Sequence, residues 1–195
     1  MIENLVNLDK KVFLALNHFA TPGVDPVMRF LSGPVPWILF ILGIVAIMWT
    51  SPERDYKNRA LIVMGTLILA YIVSEQSSVH LFKEVFMRLR PCHEPSLEGQ
   101  VRLAASGCGG NYGFVSTHAT NAFNLAILSA LLVKRRWFTT SVFAWAILVS
   151  YSRIYVGVHY PGDVLGGAIL GLVIGVAAYY ISRRITRKSR KPSDQ

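Results

Sequence analysis

Five mostly apolar runs, divided by short charged or glycine-rich linkers, constrain this chain more than anything else in it. They cover 36–50, 60–79, 119–133, 137–155 and 164–181. Crossing the hydrocarbon of a bilayer takes about 20 residues, and flanking residues extend the shorter runs toward that length. Backbone groups in lipid must be satisfied inside the segment, and none of the runs has the strict alternation of a barrel strand. The runs therefore predict an all-α polytopic membrane helix bundle of about five transmembrane helices. Hydrophobic residues make up 52% of the chain and the mean hydropathy is +0.41. At 195 residues the length fits one membrane-embedded domain spanning 1–195.

The basic residues give the bundle an orientation. Arg54, Lys57 and Arg59 follow the first run, and Lys134, Arg135 and Arg136 follow the third. Arg183, Arg184, Arg187, Lys188, Arg190 and Lys191 lie in a C-terminal tail, 183–195. If the runs alternate, all of these fall on one side, which the positive-inside rule makes cytoplasmic. The net charge of +9 is then explained by topology and anionic headgroups, with no nucleic-acid partner implied.

The same alternation carries three polar patches to the opposite, outer face. The first runs from Lys83 to Arg90 and Pro91, the second is Ser116-Thr117-His118, and the third reads Ser152-Arg153, then His159, then Asp163. Cations and imidazoles are costly near a bilayer and mark functional sites. The spacing Lys-x6-Arg-Pro, Ser-x-His and Ser-Arg-x5-His-x3-Asp resembles the type-2 phosphatidic acid phosphatase superfamily, which includes membrane lipid phosphatases, acid phosphatases and vanadium haloperoxidases. The resemblance covers Lys83 to Asp163. The family's middle motif usually reads Pro-Ser-Gly-His; here Val115-Ser116-Thr117-His118 replaces it. That change affects loop shape and the approach of backbone at Thr117 to a phosphate.

The resemblance implies phosphoryl transfer with named roles. Lys83, Arg90 and Arg153 bind the phosphate, with Ser116, Thr117 and Ser152 beside them. Arg offers a planar fork and Lys a point charge, so the three supply transition-state charge with no metal and no cofactor. Lys83 and Arg90 are seven residues apart, so a helix ended by Pro91 places both on one face. Ser116 suits the N-cap of the third run's helix, whose free N–H groups favour an anion. His159 is the expected nucleophile, oriented by Asp163 four residues on, and His118 the general acid. A phosphohistidine intermediate follows. His18, His80 and His93 match no motif.

Several features lie outside the motifs. Leu5, Leu8, Val12, Leu16 and Phe19 share one helical face within 1–20, predicting either an interfacial helix on the outer surface or a cap packed on the bundle. Cys92 and Cys108 bracket a loop with little to bury, and an oxidising compartment allows a disulfide between them; two reduced thiols are the alternative. Gly167, Gly171 and Gly175 form a small-residue stripe suited to close packing inside the monomer. Glu75 either orients a cation or bonds between helices, the second being favoured.

The expected substrate is a membrane lipid phosphate at the outer boundary of a bacterial inner membrane, the site facing the periplasm or cell exterior. Undecaprenyl diphosphate or a lipid A phosphate is favoured; phosphatidylglycerol phosphate and phosphatidic acid are alternatives. A headgroup phosphotransferase or a non-enzymatic membrane protein is the rival class. The oligomeric state is left open.

Overall fold

In the computed structural model, which describes residues 2–50 and 54–188, every named element is helical. The side chains of Arg54, Lys57, Arg59, Arg187 and Lys188, and all of 189–195, including Arg190 and Lys191, lie outside the described part. Helix α1 spans Ile2–His18, α2 Asp25–Ser32, α3 Val35–Thr50 and α4 Arg54–Gln76. A π-helical turn, Ser77–Lys83, continues α4 into the three-residue α5, Glu84–Phe86. Then come α6 Thr117–Val133, α7 Arg136–Tyr155 and α8 Pro161–Lys188. The five apolar runs coincide with α3, α4, α6, α7 and α8. Among the described residues, Ile62–Phe86 and Pro161–Ile185 are each long and apolar enough to cross a membrane. Helices α2 and α3 qualify together as a pair bent by 59°, and α6 is a shorter apolar helix. The short α2, on which Ser32 lies, carries no apolar run and was not expected.

Helix α6 sits in the middle. Its Ala119, Ala122, Ala126 and Leu128 are fully buried, and it packs on α4, α7 and α8. Outward faces are apolar, with Ile68 and Leu69 on α4 and Leu165, Ile169 and Val173 on α8 all more than half exposed. That is the pattern of a bundle solvated by hydrocarbon. Polar side chains inside it bond between helices, as lipid requires. Asn124 donates to the Ala70 carbonyl (2.9 Å) and to Ser74 Oγ (2.8 Å). Asn121 donates to Glu75 Oε2 (2.8 Å), the interhelical bond favoured for Glu75.

The glycine stripe on α8 faces α6 within the same chain. A Cβ added at Gly167 would meet the Ser116 carbonyl at 2.6 Å; one at Gly171 would overlap the Thr120 carbonyl, and one at Gly175 the Ile127 side chain. The stripe is thus an intramolecular seam. It brings the first turn of α8 against the start of α6, where Ser116 N donates to the Asp163 carbonyl (2.9 Å).

Helix α1 turns two faces in two directions. Phe13 and Asn17 are fully buried; Asn17 Nδ2 donates to the Tyr155 carbonyl (2.9 Å) and Oδ1 accepts from Arg102 N (2.8 Å). Leu5, Leu8 and Phe19 are 62%, 56% and 76% exposed. Of the apolar set, Leu5, Leu8, Val12 and Phe19 face outward while Leu16 is partly buried against the Phe13 cluster, and the inward face caps the bundle.

Gly171→Val should lower the thermal unfolding temperature in detergent, because overpacking a tight seam costs about 1–3 kcal/mol. Leu165→Ala, on the lipid-facing side, should change it little. Unaltered stability in Gly171→Val would contradict the seam.

Candidate active site

The three cations reach one cavity from three elements. Lys83 ends the π-helical turn, and its Nζ donates to Thr117 Oγ1 (2.6 Å). Arg153 sits in the last turn of α7, where Nη1 donates to Ser32 Oγ and Nε is buried without a hydrogen-bond partner. An unpaired buried N–H is costly, and a phosphate oxygen in the cavity would satisfy it. Arg90 arrives differently from the expected helix. The helix stops at Phe86, and Met87 adopts a left-handed φ of 45°. Leu89 then bridges to Tyr112, and Arg90 is extended. The residue before a proline avoids helical backbone, so Pro91 already opposes helix at Arg90.

Backbone carbonyls of the outer loop hold Arg90 in place. Nη1 donates to the Cys108 carbonyl (3.0 Å) and Nε to the Tyr112 carbonyl (3.2 Å). Cys108 is joined to Cys92, two residues beyond Arg90, with Cα atoms 6.1 Å apart. The bridge therefore ties the loop to the arginine's own segment.

His159 lies between α7 and α8, only 2% exposed. Its Nδ1 is 3.4 Å from Asp163 Oδ2, a loose contact of the kind that tightens when substrate binds. Asp163 is in the first turn of α8, fully buried; its Oδ2 also accepts from Tyr160 N (3.0 Å) and its Oδ1 from Arg88 Nη1 (2.8 Å). Gly113 has to be small here, since a Cβ would meet Asp163 Oδ2 at 2.8 Å. Burial, and then the positive charges of Arg90, Arg153 and Lys83, hold the His159 imidazole well below its ordinary pKa. It is therefore neutral near pH 7, with a lone pair available.

Ser116 caps α6, its Oγ accepting from Ala119 N (3.5 Å). His118 follows in the first turn, its Nε2 3.2 Å from the Ser32 carbonyl and its ring edge-on to Trp37. Ser152 Oγ donates to the Val149 carbonyl (2.6 Å) and lies 3.3 Å from Ser32 Oγ.

A cavity of about 230 Å³ is lined by Lys83, Arg90, Arg153, Thr117, His118 and His159. Ser116, Ser152 and Asp163 are not in its lining; they stand behind it. Trp37, Tyr71, Glu75 and Asn121 complete the wall. An apolar cavity of about 220 Å³ between α3, α4 and α6 shares Trp37 and Tyr71 with it. Sequence reasoning missed Arg88, Ser32, Trp37, Tyr71 and Asn121. Arg88 carried a signal, being one more cation in the Lys83–Arg90 patch. Ser32 carried none, since only the bend between α2 and α3 brings it to the site.

This arrangement can bind a tetrahedral anion between three cations, present it to a neutral imidazole and supply a second imidazole for proton transfer. The known proteins this chain is similar to give its family. The model of the PAP2 superfamily matches residues 59–187. Lipid A 4'-phosphatase of Porphyromonas gingivalis is 31% identical over 92% of this chain and 75% of its own. Undecaprenyl-diphosphatase BcrC of Bacillus subtilis is 33% identical over 88% of this chain and 90% of its own. The fold is shared with the transmembrane PAP2-type phosphatidylglycerolphosphate phosphatase of Bacillus subtilis, at a TM-score of 0.61 and 23% identity over 97% of this chain and 89% of that one. The chain belongs to the PAP2 superfamily and is one of its membrane phosphatases.

Proposed function

We propose that this protein hydrolyses an envelope lipid phosphate or diphosphate at the outer face of the membrane, through a phosphohistidine on His159. The observation that carries the reading is the meeting of Lys83, Arg90 and Arg153 with His118 and His159 around one cavity, with Asp163 at the Nδ1 of His159.

The phosphate enters between the three cations, which neutralise its oxygens and keep their positions as charge builds on them. His159 Nε2 attacks phosphorus in line with the leaving oxygen. A P–N bond forms as the P–O bond breaks, and His118, as imidazolium beside the phosphate dianion, gives the leaving oxygen its proton. Asp163 accepts the Nδ1–H, fixes the tautomer and balances the charge that the ring acquires. His118, now neutral, takes a proton from water. The water attacks phosphorus, the P–N bond breaks and inorganic phosphate leaves.

The apolar cavity sharing Trp37 and Tyr71 supports a lipid over a soluble ester, because a chain can lie there while its headgroup occupies the polar cavity. The lipid A 4'-phosphatase and undecaprenyl-diphosphatase relatives support those two substrate classes. The outward orientation is supported by Lys134, Arg135 and Arg136, which follow the end of α6 opposite its Ser116 cap, by the sequence positions of the other basic residues, and by the Cys92–Cys108 bridge, which suits an oxidising compartment.

His159→Ala and His118→Ala should each cut phosphate release from a lipid-phosphate panel by ~10²–10⁴-fold or more. Activity should survive excess chelator, and vanadate should inhibit as a mimic of five-coordinate phosphorus. Near-normal turnover in His159→Ala would sink the assignment. Because His159 stays neutral, kcat/KM corrected for substrate ionisation should hold as pH falls through about 6.5, the ordinary imidazole value; a fall centred there would show an unperturbed nucleophile. In a Cys92→Ser, Cys108→Ser background, a reagent that cannot cross the inner membrane should label a cysteine placed at Ser96 and spare one placed at Arg135. The reverse pattern would overturn the orientation.

A further inference from the structure

Arg88 has no part in the mechanism above, yet it holds the residue that orients the nucleophile. Its Nη1 donates to Asp163 Oδ1 (2.8 Å), the oxygen that His159 does not use. Its Nη2 donates to Asp9 Oδ2 (2.7 Å), and Asp9 Oδ1 accepts from Gly162 N (2.8 Å) in the first turn of α8. The guanidinium lies over the Tyr160 ring at 4.1 Å, and Phe13 of α1 packs edge-on against that ring from 5.4 Å. The Arg88 carbonyl accepts from Gly113 N (2.8 Å). The arginine is therefore fixed at backbone, ring face and both ends of its fork.

Asp163 Oδ2 meets both Tyr160 N and the ring nitrogen, but a carboxylate held through one oxygen can still swing about its Cβ–Cγ bond. Arg88 removes that freedom. Its planar fork takes two carboxylates at once, one from α8 and one from α1, a task a lysine point charge performs poorly. The side chain of Asp163 is 0% exposed, where an unpaired charge is costly. Arg88 supplies the compensating positive charge from the side away from the phosphate, so it does not compete for the substrate.

We propose that Arg88 is a positioning residue for Asp163, and that Asp9 makes the N-terminal helix α1 part of the catalytic assembly. This rests on the reading that Asp163 orients His159. The chemistry is electrostatic and steric throughout; no bond is made or broken at Arg88 or Asp9.

The test is steady-state kinetics of the full chain in detergent-lipid micelles, with thermal unfolding recorded for each variant. Arg88→Ala should lower kcat about 10–100-fold, the usual scale for an outer partner of a reacting group, with KM within about twofold of wild type. Arg88→Lys should recover only part of the loss, and it stands in if the alanine variant fails to fold. Asp9→Asn should cause a smaller loss of kcat. In an Asp163→Asn background, Arg88→Ala should cost little more, because the two act as one unit. If Asp163→Asn disables the enzyme but Arg88→Ala and Arg88→Lys keep wild-type kcat, the proposal fails while the catalytic reading stands. If Arg88→Ala multiplies fully with Asp163→Asn, or shifts only unfolding temperature, Arg88 is a structural ion-pair partner and the proposal fails. If Asp163→Asn itself turns over normally, the catalytic reading falls first.

Discussion

The backbone contact between α6 and α8 is the constraint on which the site depends. Three glycines on α8 let that helix lie against the Ser116 and Thr120 carbonyls of the α6 end. In hydrocarbon there is no hydrophobic drive to press helices together, so close van der Waals fit and interhelical hydrogen bonds have to do it. The seam sets where α8 begins, and its first turn carries Asp163 beneath the loop that presents His159. The other side of the seam begins with Ser116, Thr117 and His118. His118 and His159, the proposed proton carrier and nucleophile, come from segments 41 residues apart in sequence, and one packing contact fixes their relation.

Electrostatics then turn that geometry into chemistry. Three cations around one cavity repel each other, and the protein offsets this locally. Lys83 is held by Thr117, Arg90 by carbonyls of Cys108 and Tyr112, and Arg153 by Ser32. Each of these hydrogen-bond anchors is neutral, so with three cations against the one carboxylate of Glu75 in the wall the cavity keeps a net positive lining. The one buried carboxylate nearby, Asp163, has its own counter-ion in Arg88 on the far side. The site thus separates two features: net positive charge facing the cavity, where the proposed phosphate would bind, and a charge-balanced carboxylate behind the imidazole. Electrostatic stabilisation of this kind needs positions that do not relax when charge moves.

Much of this was legible in the residues. Apolar runs located five helices, because lipid permits no other backbone solution for them. The motif spacing located His118, Arg153, His159 and Asp163, since each lies at a helix end where a run gives way to polar residues. Ser116 as an N-cap and the glycine stripe as an intramolecular seam follow from local rules that tertiary contacts did not override. Other parts were not legible. The helix expected through Arg90 breaks at Met87, where a left-handed residue redirects the chain into a bridge with Tyr112. Helical periodicity cannot foresee that. Ser32 and Trp37 reach the site only because α2 and α3 meet at a 59° bend. Arg88 sat in plain view between two motif residues, but its partners Asp9 and Asp163 are 79 and 75 residues away.

The central claim is that phosphorus becomes bonded to His159 during turnover. Rapid acid-free quenching of the enzyme with a ³²P-labelled lipid phosphate, followed by proteolysis and peptide mapping, tests it directly. The account predicts an acid-labile, base-stable label on the peptide containing His159, present in wild type and absent from His159→Ala. Label on a serine or aspartate peptide, or an enzyme that turns over with no labelled protein at any quench time, would contradict it.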